Sequence, residues 1–100
     1  MDKIINLDFD EYTSSKQIHD YLANELDFPD YYGNNLDALY DCLTDIDESV
    51  YLFIHNYDIL DYNQNNFMTA IEDASLVNPK LRIRLVEDED RWKLYKIYLD

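Results

Sequence analysis

The sequence predicts a small α/β domain: a three-stranded parallel sheet packed by helices in a three-layer-type arrangement, with an extra antiparallel strand at its C-terminal end. Three observations predict this. Short runs rich in strand-forming residues alternate with segments of helical period. One run, VYLFIH at 50–55, is continuously apolar, the pattern of a strand covered on both faces. Helical segments also separate the first three strands, as parallel pairing with right-handed crossovers requires. One hundred residues form one domain, 1–100, with enough chain to bury a core unaided.

The first strand is KIINLDF at 3–9, where Ile4, Ile5 and Leu7 favour extended backbone. A loop over 10–13 leads to a helix ending near Leu26. Thr13 or Ser14 can cap it, and Gln17 stands where a capping-box partner of Ser14 would be. Ile18, Tyr21, Leu22 and Leu26 fall on its core side, and His19 reads as a surface or boundary residue. Pro29 stops this helix and Gly33, the only glycine, permits a tight turn. Asn34 or Asn35 then caps a central helix. After the strand at 50–55 comes a polar loop over 56–65. A third helix over 66–77 follows, with Phe67, Ala70, Ile71, Ala74 and Leu76 or Val77 directed inward. Asn78-Pro79 ends it. LRIRLV at 81–86 alternates apolar and basic, a strand with one wet face. WKLYKIYL at 92–99 alternates again and reads as the antiparallel partner of that strand, after an acidic turn at 87–90, with a short terminal helix as the alternative.

Charge narrows the partners. The net charge is -14 although 47% of the residues are hydrophobic, so the chain is acidic and foldable. Thirteen acids and no Lys or Arg lie between Lys16 and Lys80. Such a field repels nucleic acid and anionic membrane and speeds encounter with cationic proteins. One cysteine, Cys42, rules out an internal disulfide. No signal peptide and no run of about 20 apolar residues is present, which predicts a soluble cytoplasmic protein. The free protein is expected to be monomeric.

The central helix carries two chemistries. At about 100° per residue, Leu36, Leu39, Leu43 and Ile46 share one side. Asp37, Asp41, Thr44, Asp45 and Glu48 share the other, with Tyr40 at the border and Tyr31 and Tyr32 just before. Like charges four residues apart, as in Asp37–Asp41 and Asp41–Asp45, cost a helix about 0.2–0.5 kcal/mol each. Asp41 and Asp45 also oppose the negative end of the helix dipole. A solvated face tolerates this crowding; a face built to meet positive charge explains it. Catalysis is disfavoured. No phosphate loop, dinucleotide fingerprint, nucleophile elbow or zinc motif occurs, and Cys42 beside acids is a poor nucleophile. The chain is therefore not expected to be an enzyme, and no metal or cofactor is expected. Aromatics beside carboxylates, without basic neighbours, suit a protein with a cationic cleft rather than nucleic acid.

At 29–44 the chain reads PDYYGNNLDALYDCLT. The combination YYG-x-NLDAL-x-DCLT is long and specific, and it resembles the signature of the barstar family of intracellular ribonuclease inhibitors. The resemblance implies a three-stranded parallel sheet packed with helices. It also implies an inhibitor or immunity protein that blocks the active site of a cognate basic ribonuclease, in the manner of a toxin–antitoxin pair. Asp41 would then mimic a phosphate against catalytic cations, and Asp37 would pair with basic groups of the cleft. Tyr31, Gly33, Asn35, Leu36 and Thr44 would supply surrounding contacts, with Tyr40, Asp45 and Ile46 at the rim and Asp73 on the later helix. Tyr40 stands where the family often has Trp, Asp45 replaces a glycine, Ile46 replaces an aromatic, and Asp73 is shorter than the usual Glu. Residues 87–100 extend past the point where the resembling inhibitors end. The alternative is an acidic adaptor that binds a basic protein other than a nuclease.

Overall fold

The structure is a computed structural model that describes residues 2–86. The acidic turn at 87–90 and the fourth strand expected at 92–99 lie outside the described residues. Three strands, β1 (Lys3–Asp8), β2 (Val50–His55) and β3 (Leu81–Val86), form one parallel sheet in the order β1-β2-β3. Their register pairs Ile5 with Leu52 and Leu52 with Ile83. The helices are α1 (Ser15–Glu25), α2 (Leu36–Thr44) and α3 (Tyr62–Val77). The α/β fold with a three-stranded parallel sheet agrees with expectation.

Parallel strands alternate their side chains, and among the described residues one side of this sheet is sealed. Ile5, Leu7, Val50, Leu52, Ile54 and Leu81 join the buried side chains of all three helices in one cluster. The opposite side carries Ile4, Asn6, Tyr51, Phe53, Arg82 and Arg84, exposed or half-buried. The apolar run of β2 is thus covered on one face among the described residues, not on two. Tyr51 and Phe53 tolerate this because they are only partly exposed, and the Arg82 guanidinium lies 5.1 Å from the Tyr51 ring centroid.

The helices begin where side chains satisfy their first amide groups. Ser14 caps α1 and Gln17 reaches back, completing the capping box. Asp61 caps α3 by accepting from the Gln64 amide at 3.1 Å, so α3 starts at Tyr62, four residues before the expected Asn66. The Asn-rich first turn resembles a loop in composition, and the cap overrides it. A one-turn 3-10 segment, Phe9–Glu11, replaces part of the expected loop after β1.

Three residues sit elsewhere than expected. His19 is buried, 3% exposed, because it borders the Ile18–Leu22–Leu26 stripe of α1. Leu76 and Val77 are exposed, whereas Met68 and Asn78 are buried. At about 100° per residue, position 78 returns to the direction of Phe67 while position 76 points away from it.

Candidate functional site

The site is built on α2, and the two ends of that helix are held by different devices. At the N-terminal end Asn35 is the cap: its Oδ1 accepts from the Ala38 amide at 2.8 Å. Asn34 takes the left-handed conformation, φ 51°, and its side chain donates to Asp20 Oδ1 at 3.3 Å. The turn therefore uses Asn34 for its unusual backbone, and Gly33 does not adopt positive φ. The absence of a side chain at Gly33 serves another purpose. A Cβ there would lie 2.9 Å from Asn35 Nδ2, against the residue that caps the helix.

The two tyrosines before this turn divide the work. Tyr31 is 87% exposed. Tyr32 turns inward, shares a hydrogen bond with His19 Nδ1, and packs against Phe28 at 4.9 Å between ring centroids. His19 in turn contacts Phe67 of α3 at 4.8 Å. Burial raises the Tyr32 phenol well above its ordinary value, with a smaller contribution from Cys42. Burial lowers the His19 imidazole, opposed by the Asp20 charge. Tyr32 and His19 thus tie the loop before α2 to both α1 and α3.

At the C-terminal end the last carbonyls of α2 need donors. Buried Asn78 supplies them: its Nδ2 is 3.0 Å from the carbonyl oxygens of Leu43 and Ile46 and 3.4 Å from that of Thr44. Its Oδ1 accepts from the Lys80 amide at 3.0 Å. One side chain at the end of α3 therefore fastens the end of α2. Sequence reasoning treated Asn78 only as a helix stop; the rotation of α3 that places it inward was the available signal.

Between these fastenings, α2 buries Leu39 and Leu43 and half-buries Leu36, Tyr40 and Ile46 against the core. Asp37, Asp41 and Asp45 are exposed. Thr44 is half-buried, its hydroxyl donating to the Asp41 carbonyl at 2.8 Å. An open groove of about 460 Å³ runs beside the C-terminal half of α2. Tyr31 and Pro29 line one side, and Asp41, Cys42, Asp45 and Ile46 line the other. Asn35, Leu36 and Asp37 line a separate hollow at the N-terminal end of α2. Asp73 is exposed on α3 and borders neither.

The distribution of cations is uneven. Lys3 lies 3.8 Å from both Asp27 and Glu48, Lys16 is 2.6 Å from Asp20, and Lys80 is 2.9 Å from Asp47. Among the described residues Asp37, Asp41 and Asp45 have no such partner. Asp47 and Glu48, at the margin of the groove, are already matched. The Cys42 thiol is pushed up by burial first and then by Asp45 and Asp41, which suppresses thiolate chemistry. Among the described residues no group of three His, Cys, Asp or Glu side chains could hold a metal ion. No helix among them is long and apolar enough to cross a membrane.

The family model described as Barstar (barnase inhibitor) matches residues 3–77. A protein of Bacillus subtilis (strain 168) named "Putative ribonuclease inhibitor YrdF" is 42% identical over 77 residues, covering 76% of this chain and 79% of that protein. The match spans the sheet strands β1 and β2, all three helices and the whole acidic face of α2.

Proposed function

The chain belongs to the barstar family, and from that premise we propose that it inhibits a basic ribonuclease by seating α2 in the active site of that enzyme. Members of this family are inhibitors rather than enzymes, in keeping with the absence of catalytic motifs. One observation carries the mechanism: three exposed carboxylates on α2 and its C-cap have no cation partner among the described residues, while Lys3, Lys16 and Lys80 pair elsewhere. An enzyme that cleaves phosphodiesters must hold anions, so its cleft presents the cations this face lacks.

In this reading Asp41 takes the place of a substrate phosphate and Asp37 meets basic groups nearer the N-terminal end of α2. Tyr31 covers the far wall of the groove, and Gly33, Asn35 and Leu36 form the closely apposed turn. Tyr40, Thr44, Asp45 and Ile46 border the contact, with Asp73 adding charge from α3. The partner is one cognate ribonuclease, bound by a monomer in the cytoplasm, where it protects RNA.

The test mixes the purified protein with barnase and follows RNA cleavage at low and physiological salt. Stoichiometric inhibition that Asp41→Ala abolishes is expected. Equal inhibition by Asp41→Ala would remove α2 from the centre of the contact. Binding without inhibition would point instead to an acidic adaptor.

A further inference from the structure

A second surface is held ready beside the N-terminal end of α2. The connection between β2 and α3 is a loop cross-linked by its own polar groups. The Asp58 amide donates to Gln64 Oε1 at 2.7 Å, and the Leu60 amide to Asp58 Oδ1 at 2.9 Å. The Asp61 amide donates to the Asp58 carbonyl at 3.0 Å. Asn65 Nδ2 donates to the Ile59 carbonyl at 2.6 Å, and the Tyr57 hydroxyl bonds Asn65 Oδ1. Despite this ordering, the apolar side chains stand outward: Leu60 is 89% exposed, Tyr62 78% and Ile59 52%. The loop's hydrogen bonds use backbone and polar groups only, so Leu60 and Tyr62 are not needed to form them.

The position of this prong identifies what it meets. Asn63 and Asn66, in the first turns of α3, share a hollow of about 420 Å³ with Asn35, Leu36 and Asp37 of the α2 entrance. Tyr62 directly precedes Asn63 and lies one helical turn before Asn66, so it follows the face of α3 that borders this hollow, although Ile59, Leu60 and Tyr62 do not themselves line it. Asp58 and Asp61 flank it with the same charge sign as α2. We propose that Ile59, Leu60 and Tyr62 form a second contact element for the ribonuclease that α2 blocks, filling an apolar depression beside its cationic cleft. This inference rests on the inhibitor reading of α2 and extends it. Preorganised apolar anchors add affinity with little ordering cost. The prong contributes lifetime to the complex, whereas the α2 carboxylates contribute encounter rate as well.

The experiment measures binding of the full chain to barnase for the unaltered protein, Asp41→Ala, a Leu60→Ser/Tyr62→Ser double variant and Leu60→Asp. The double variant is expected to raise Kd about tenfold. The change should lie in faster dissociation and persist at high salt, with an unchanged thermal midpoint. Leu60→Asp should weaken binding although it adds negative charge. A double variant that binds within about twofold of the unaltered chain while Asp41→Ala loses binding overturns the prong and leaves α2 standing. Tighter binding by Leu60→Asp overturns it too, since a purely electrostatic contact would behave that way. A lowered midpoint for the double variant assigns these side chains to the fold and overturns it. Failure of the unaltered chain to bind barnase overturns the α2 reading and the prong together.

Discussion

The exposed face of α2 and the two ends of α2 follow opposite rules. At the ends side chains supply partners to the helix backbone: Asn35 caps one, Asn78 serves three carbonyls at the other, and Tyr32 and His19 anchor the approach. On the face, Asp37, Asp41 and Asp45 repel one another and have no cation among the described residues. A nine-residue helix is marginal by itself. Here it is held by what grips its termini and its apolar side, which leaves its outer face free to be chosen for a partner rather than for the fold. Each experiment below acts on one region and reads the other.

The largest effect should come from the face. Asp41→Ala is expected to weaken binding to the ribonuclease by about 3–5 kcal/mol, because the buried cations of the cleft lose their counter-charge. The unbound variant should keep its stability or gain slightly. If its unfolding midpoint drops instead, Asp41 belongs to the scaffold and the division between face and ends fails.

Next in size is the end. Asn78→Ala leaves the carbonyls of Leu43, Thr44 and Ile46 without their shared donor in a buried setting. A loss of about 1–3 kcal/mol of folding stability is expected from urea unfolding. Inhibition at temperatures where the variant stays folded should fall less than for Asp41→Ala. Undiminished stability would mean that water replaces the amide at no cost.

The approach to α2 makes stability depend on pH. His19 is buried against Phe67 and bonded to Tyr32, with Asp20 the charged group nearest in the chain. Its folded value is lowered, so the unfolded chain binds the proton more readily. Stability from this group is complete above the ordinary histidine value of about 6.5 and declines as pH falls below it, levelling off under the lowered folded value. Urea midpoints between about pH 7.5 and 5.5 should slope downward for the unaltered protein and less for His19→Gln. Parallel slopes would locate the titration elsewhere.

The same division explains what could be read from the chain alone. Strands β1, β2 and β3, the Ser14 capping box and the Leu39–Leu43 side of α2 follow from local period and cap chemistry, and these were legible. So was the crowding of Asp37, Asp41 and Asp45, since repulsion at four-residue spacing needs only sequence. The Tyr32 partner of His19 lies 13 residues away and the carbonyls that Asn78 serves lie at least 32 away, and no local pattern discloses a bond of that kind. Tyr31 and Tyr32 are adjacent and chemically identical, so only the packing against Phe28 and His19 separates the exposed ring from the anchored one. Leu76 is apolar, but rotation about the axis of α3 turns it away from Phe67 and the core.

The smallest expected effect sharpens the comparison most, because it moves fold and function in opposite directions. Asp45 caps the end of α2, four residues after Asp41, where the helix dipole is negative and the last turn holds no basic residue. Asp45→Asn keeps a side chain of similar size and removes that charge. Relief of the i, i+4 repulsion should stabilise the free protein by about 0.2–0.5 kcal/mol. It should also slow association with a cationic enzyme and flatten the salt dependence of the rate. Cys42 provides an internal check, since the charge of Asp45 helps to raise its thiol above the ordinary value. The variant's thiol should titrate lower and react faster with iodoacetamide near neutral pH, as more thiolate forms. A thiol that shifts while stability does not would mean that solvent screens the Asp41–Asp45 repulsion, so that the charged face of α2 costs the fold nothing. If stability and association rate both fall, Asp45 supports the helix end as well as the encounter, and the boundary between face and end lies one residue earlier, at Thr44.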